Sequence, residues 1–258
     1  MSFHAGAVVF VCAFGGALVG VFIGGRLPQR HLTAETKDVV RLGTGMVATV
    51  AALVLGLLIG SAKSFYDSQN EELAQMSANV VLLDRLLRHY GPEADAGRMI
   101  LRAGVARTIE AMWPGGTTHT DESPDAVHAE ALYDEIHELT PKDERQRAIQ
   151  SEASSLALTV GQTRWLMFEQ NSATLSIPLV LVLSLWLTSI FVSWGMYSPF
   201  NAMAVTVFFI AALSVSASVV LIQELYSPYS GLLRVSSAPL RRASLQLQQK
   251  SPGPTILN

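Results

Sequence analysis

Hydroxyl side chains set four residues apart inside long uncharged runs are the first residues here whose spacing could do chemistry. Ser184 with Thr188, Ser189 with Ser193, and Ser214 with Ser218 are such pairs, and Thr44 lies in another uncharged run. A polar path across an apolar medium needs groups of this kind, so Thr44, Ser184, Thr188, Ser214 and Ser218 are pore-lining candidates. The competing reading is local, because a hydroxyl in hydrocarbon can bond back to its own helix carbonyl. Glu224 is the only acid beside the end of its run. It reads either as an ion or lipid-headgroup site or as an interfacial glutamate reaching water. Asp134 and His137 have the i, i+3 spacing of a metal-binding pair, with Glu130 one turn earlier, yet one such pair cannot complete a di-metal site. The expectation there is a solvated acidic face, with no metal and no cofactor. His4, His31, His89, His119 and His128 share no spacing. The chain has no Walker A, Gly-x-Ser-x-Gly, His-Glu-x-x-His or dinucleotide fingerprint, so the expectation is that it is not an enzyme.

The elements that must position these residues follow from charge. Of 258 residues, 50% are hydrophobic and only 15% charged, and mean hydropathy is +0.33. No charge falls between Ser2 and Gly25, between Leu42 and Ala62, or between Gln170 and Gln223. A bilayer core needs about 20 apolar residues in a helix. The first two gaps therefore supply one span each, and the third supplies two, divided at Trp194–Asn201, where a Ser198-Pro199 pair can open a helix. The spans are expected near 5–25, 43–62, 175–195 and 202–223. The first is read as retained rather than as a cleaved signal peptide, since its amino end lacks a basic region. Small residues recur every fourth position in two spans, as Cys12, Gly16, Gly20 and Gly24, and as Thr44, Ala48, Ala52, Gly56 and Gly60. Helices in lipid associate by close backbone approach, so these stripes predict a tight helix pair, within one subunit or between subunits. No charge lies at mid-membrane depth, which argues against a proton-coupled transporter. A net charge of −3 without a basic, aromatic-interleaved patch gives no reason to expect nucleic acid. Cys12, the lone cysteine, excludes an intramolecular disulfide.

Residues 63–173 hold 18 of the 21 acidic residues and 10 of the 18 basic ones, the balance of a water-exposed domain. Two heptad-like seams run through it. One comprises Leu73, Met76, Val80, Leu83, Leu87 and Tyr90, stopped by Gly91-Pro92; the other comprises Ile149, Ala153, Leu156, Val160, Thr163 and Met167. Thr140 is the expected N-cap of the second, with Pro141 at its first helical position. Helices over about 93–113 and 124–139, the latter capped by Ser123 and preceded by a linker over 114–123, should join them. The fold class is all-α: four transmembrane spans with a helical stalk domain between spans 2 and 3. The seams continue into their spans, and one helix is expected from about Thr33 to Tyr90, with Gly43-Thr44-Gly45 the one plausible break. The parts are 1–62, with two spans and a short basic connection; 63–173, the stalk; 174–225, a hairpin of two spans; and 226–258, a tail. Arg26, Arg30, Lys37 and Arg41 crowd the first connection, against Lys63, Arg164, Arg234, Arg241 and Arg242 near span ends on the opposing face; by the positive-inside rule charge density slightly favours a cytoplasmic first connection, and the orientation stays open.

Several stretches carry a resemblance: Arg26-Leu-Pro with His31-Leu, Glu35 through Gly45, Ala48 through Leu58, Asn79-Val-Val-Leu-Leu-Asp-Arg85, Phe168-Glu-Gln170, and Gly231 through Arg241. Together they resemble the bacterial membrane family labelled bestrophin-like, over nearly the whole chain. The resemblance implies an oligomeric anion-selective channel with four membrane helices per subunit, a pore lined by the second span and a helical cytosolic domain. That last placement is opposite to the one the basic connection suggests. Two departures stand out: residues 43–62 contain no aromatic where bestrophin necks carry bulky rings, and no acidic run resembles the bestrophin calcium clasp.

The functional expectation is a multi-pass protein of the bacterial inner (plasma) membrane that forms a homo-oligomer in the lipid bilayer and conducts chloride or other small anions passively. The alternative is a non-conducting scaffold or sensor acting through its helical stalk.

Overall fold

The computed structural model describes residues 2–26, 33–113, 126–171 and 177–248. Eight α-helices lie among them: α1 (Ser2–Arg26), α2 (Ala34–Tyr90), α3 (Asp95–Met112), α4 (Ala126–Glu138), α5 (Glu144–Asn171), α6 (Ile177–Met196), α7 (Ala202–Leu225) and α8 (Ala238–Gln248). No strand occurs among the described residues. α1, α2, α6 and α7 are long and apolar enough to cross a membrane. The chain divides into two compact units. The first comprises residues 1–66 and 174–233, the second residues 67–173 and 234–258, so α2 contributes to both.

α2 begins as its sequence suggests. Thr33 Oγ1 accepts the Thr36 N–H at 3.3 Å, and the helix passes through Gly43-Thr44-Gly45 without a break. It ends at Gly91, whose φ of 130° is open to a residue without a Cβ. The expected linker over 114–123, the Ser123 cap and the join between α5 and α6 at 172–176 lie outside the described residues.

In the first unit, α1 packs against α6 and α7. Ala13, Ala17 and Val21 bury against Phe191, Phe208 and Ala212, while Val9 and Ala51 join Leu183, Leu187, Ile190 and Val219. Phe10, Phe14 and Phe209 form an aromatic group with centroids 5.5–5.7 Å apart. The turn between α6 and α7 differs in detail from the expectation. Ser198-Pro199 lies in the turn itself, and the cap of α7 is Asn201, whose Oδ1 accepts the Ala204 N–H at 2.7 Å. An Asn carbonyl supplies an acceptor for an otherwise orphaned donor in the first turn.

In the second unit every residue of the first seam, from Leu73 to Tyr90, is buried. Two contacts fix the direction of α5 against it. The Gln69 side chain bonds Gln170, and Gln146 Nε2 donates to the Tyr90 carbonyl at 2.9 Å, so the helices run antiparallel. Met76, Val80, Leu101, Leu132, Ala157 and Leu240 converge around a small void, which brings α2, α3, α4, α5 and α8 to one core. Burial, with Glu93 nearby, raises the Tyr90 phenol above its ordinary value. Asp84, buried in the same unit, accepts from Arg88 Nη2 at 2.6 Å and Arg98 Nε at 3.0 Å.

One expectation is corrected here. The N-cap before α5 is Asp143, not Thr140: Asp143 Oδ1 accepts the Gln146 N–H at 2.7 Å, and the Gln146 side chain accepts the Lys142 N–H at 2.7 Å. This reciprocal pair satisfies two backbone donors where a lone threonine would satisfy one. The tail expected over 226–258 carries α8, whose Leu240, Ala243 and Leu247 are buried and whose approach is held by Trp113 Nε1 donating to the Val235 carbonyl at 2.9 Å.

Candidate functional site

The small residues of α1 line its crossing with α6. A Cβ on Gly20 would collide with the Val192 carbonyl, and one on Gly24 with the Met196 carbonyl. Gly195 of α6 answers from the other side, since a Cβ there would meet the Ala17 carbonyl. Gly16 is looser, with Thr188 and Val192 atoms 3.2–3.3 Å from its notional Cβ. The tightest helix pair in the first unit is thus a contact of backbones, as lipid-embedded association favours.

The stripe on α2 behaves differently along its length. Thr44 and Ala48 are half-buried, whereas Ala52, Gly56 and Gly60 are exposed, and no described residue stands within 4 Å of a Cβ built on Gly56 or Gly60. The same side of the helix exposes Leu42, Met46, Val50, Leu53 and Leu57. Only 6% of the apolar stretch of α2 is buried, against 39% for α1 and 28% each for α6 and α7. α2 is therefore the span that its own chain covers least.

The hydroxyl candidates do not converge. Ser184, Thr188, Ser214 and Ser218 each donate to the carbonyl four residues back, at 2.7–3.1 Å. Thr188 packs toward Gly16, so it belongs to the α1–α6 crossing. Thr44 alone leaves the pattern: its Oγ1 lies 2.7 Å from Ser193 Oγ across the α2–α6 contact. These two residues line a cavity of about 500 Å³ with Arg41, Trp194, Tyr197 and Phe208, and among the described residues its walls contain no acidic side chain.

Glu224 does not reach water. Its side chain, 3% exposed, accepts from the Leu232 N–H at 2.5 Å and lies 3.5 Å from the Leu233 nitrogen. A carboxylate at the C-terminal end of α7 faces the negative end of the helix dipole, and the two loop N–H groups compensate. Gly231 makes the approach possible. It holds φ at 92°, and a Cβ there would strike Glu224 Oε2. Spacing could not have found this clasp, because its donors are backbone groups.

The His137 ring stacks on Tyr133 at 4.5 Å, and among the described residues no three His, Cys, Asp or Glu side chains are grouped to hold a metal.

Comparison with known proteins agrees with this architecture. A crystal structure of a bacterial bestrophin homologue from Klebsiella pneumoniae matches with a TM-score of 0.65 at 12% identity, covering 93% of this chain and 96% of that one. A point variant of a bestrophin homologue from the same organism matches at 0.66 and 11% identity, with 93% and 96% covered. The crystal structure of a variant described as a membrane protein matches at 0.67 and 13% identity, with the same coverage. At such identities the likeness is one of fold. No curated protein sequence matches the chain. The Bestrophin-like domain, however, matches residues 11–240, and by that match the chain belongs to the Bestrophin-like family.

Proposed function

We propose that the protein is a homo-oligomeric, passive anion channel of the bacterial inner membrane, with α2 of each subunit facing the central axis. The observation that carries this reading is the bare side of α2. A span only 6% buried by its own chain, presenting Gly56 and Gly60 beside Leu53 and Leu57, offers both a close-packing strip and an apolar wall to neighbouring copies. The family relationship supplies the chemistry: related proteins are bestrophin homologues. An uncharged lining suits passive flow of chloride better than proton-coupled transport.

The test is electrical. Purified protein in planar bilayers should pass current whose reversal potential in a potassium chloride gradient follows chloride. In a Cys12→Ser background, a cysteine introduced at Leu57 should be blocked by a water-soluble thiol reagent. An intact oligomer that passes no current at any voltage would refute the reading.

A scaffold or sensor role is the second reading, favoured by one feature. Leu158, Trp165 and Leu166 of α5 are about half exposed and line, with Tyr133, a cavity of about 500 Å³ in the second unit. Cross-linking from Trp165 that recovers only copies of this chain would refute that role.

A further inference from the structure

We propose that the cavity between α2, α6 and the α6–α7 turn binds the phosphate of an anionic phospholipid, with Arg41 as its cation. This stands whether or not the protein conducts. The first ground is the donor inventory. Ser184, Thr188 and Ser189 of α6 each bond back to their own helix at 2.7–2.8 Å, which satisfies a hydroxyl in hydrocarbon locally. Ser193, the next in that register, shares a single 2.7 Å bond with Thr44. Two hydroxyls bring two protons and that bond uses one, so one O–H donor is left for an incoming acceptor. Tyr197 and Arg41 line the same space, and neither forms a side-chain hydrogen bond or ion pair among the described residues. A lining of donors with a cation and no carboxylate selects an anion.

The second ground is the rest of the wall. Trp194 and Phe208 make one side apolar, and about 500 Å³ is within the range of sites that hold small organic ligands. A chloride ion alone would leave that apolar wall uncovered, whereas a lipid brings an acyl chain to it. Depth agrees as well: Arg41 is the last charge before the uncharged run from Leu42 to Ala62, the level at which headgroups lie. The planar fork of arginine suits two phosphate oxygens.

The experiment uses the detergent-purified oligomer and native mass spectrometry with added dioleoyl phosphatidylglycerol or dioleoyl phosphatidylcholine. The wild type should retain the glycerol lipid over the choline lipid. Arg41→Gln should weaken that retention roughly tenfold, and Thr44→Val should weaken it less. Arg41→Lys, which keeps the charge and loses the fork, should fall between the wild type and Arg41→Gln. Lys63→Gln, removing a cation at the other end of the same uncharged run, should leave retention unchanged. Because Arg41 is exposed, thermal melting of its variants should match the wild type, separating lost binding from lost fold. Equal retention by Arg41→Gln and Lys63→Gln, or equal retention of the two lipids by the wild type, would overturn the proposal. Arg41-dependent binding of inorganic phosphate without binding of the glycerol lipid would overturn the lipid as its source.

Discussion

A single chemical change, glycine to alanine, should change sign along α1 according to what each position meets. Gly15 and Gly25 have no described residue within 4 Å of a notional Cβ, so Gly15→Ala only removes backbone freedom from the unfolded chain. It should stabilise by about 0.5–1 kcal/mol. Gly20→Ala and Gly24→Ala place the same methyl against carbonyls of α6, and backbone cannot rotate aside as a side chain can. The helices must separate, and overpacking of that kind costs about 1–3 kcal/mol, which outweighs the propensity gain. Gly195→Ala should do the same from the facing helix. Gly16→Ala should come out near neutral, since its contacts at 3.2–3.3 Å include a methyl group of Thr188 that can give slightly. For a chain of this size about 1 kcal/mol moves the melting midpoint by about 2–4 °C. Thermal unfolding in detergent, followed by size-exclusion chromatography at each temperature, would therefore resolve the pattern. If Gly15→Ala and Gly20→Ala shift the midpoint in the same direction by similar amounts, the backbone-contact account of the α1–α6 crossing is wrong.

Three further outcomes are expected. Glu224→Gln should lose about 1–2 kcal/mol by weakening charge-assisted acceptance from Leu232, and Gly231→Ala should lose at least as much, since φ of 92° and the Glu224 carboxylate both oppose a methyl group; both are measured by melting. Asp84→Ala should destabilise by about 2 kcal/mol in denaturant unfolding, because it removes the buried carboxylate that both arginines meet, while half-buried Arg98 keeps Asp95 and partly exposed Arg88 can turn to water. The exposed Glu93–Lys142 pair sets a pH window. Hydrogen bonding to Lys142 holds the Glu93 carboxyl below its ordinary value, so its contribution is present above about pH 4.3 and lost as pH falls through the lowered value. Hydrogen bonding to Glu93 raises Lys142, so the contribution is present below about pH 10.4 and lost as pH rises through the raised value. Glu93→Gln should flatten both flanks of the melting-midpoint profile, and 1 M salt should shrink the difference from wild type.

What the sequence made legible was whatever burial writes into side-chain type. The spans appear as missing charge because lipid excludes charge, and the Leu73–Tyr90 seam appears as a heptad because its core-facing positions recur every turn. The partner of the α1 stripe was not legible. Gly195 sits between Trp194 and Met196 with Phe191 and Pro199 four residues to either side, so it belongs to no stripe of small residues. The Glu224 clasp was hidden for a different reason: its donors are amide groups that every non-proline residue carries, and only Gly231 hints that the chain comes close. α8 did leave a signal, with Ser237 and Pro239 at its start and apolar residues at 240, 243 and 247, but its polar face made the segment read as a tail.

The stripe on α2 shows why a spacing argument can be sound and still name two surfaces. Residues four apart on an α-helix advance about 400°, so a stripe of fours drifts about 40° per step. Across Thr44, Ala48, Ala52, Gly56 and Gly60 that drift carries the small residues nearly half-way round the helix. Its start therefore meets α6, where Thr44 bonds Ser193, and its end faces away from the described residues, with none of them near Gly56 or Gly60. One stripe thus serves an internal contact first and an external surface last, and the two ends answer to different measurements. Ala48→Leu should lower the stability of a single subunit, because Ala48 packs against the cluster of Leu183 and Leu187. Gly60→Leu should leave the subunit's own packing intact and, if neighbouring copies meet there, act on assembly alone. A Gly60→Leu protein that melts early as an unassembled subunit would show that the end of the stripe is covered by its own chain, and the case for α2 facing other copies would fail with it.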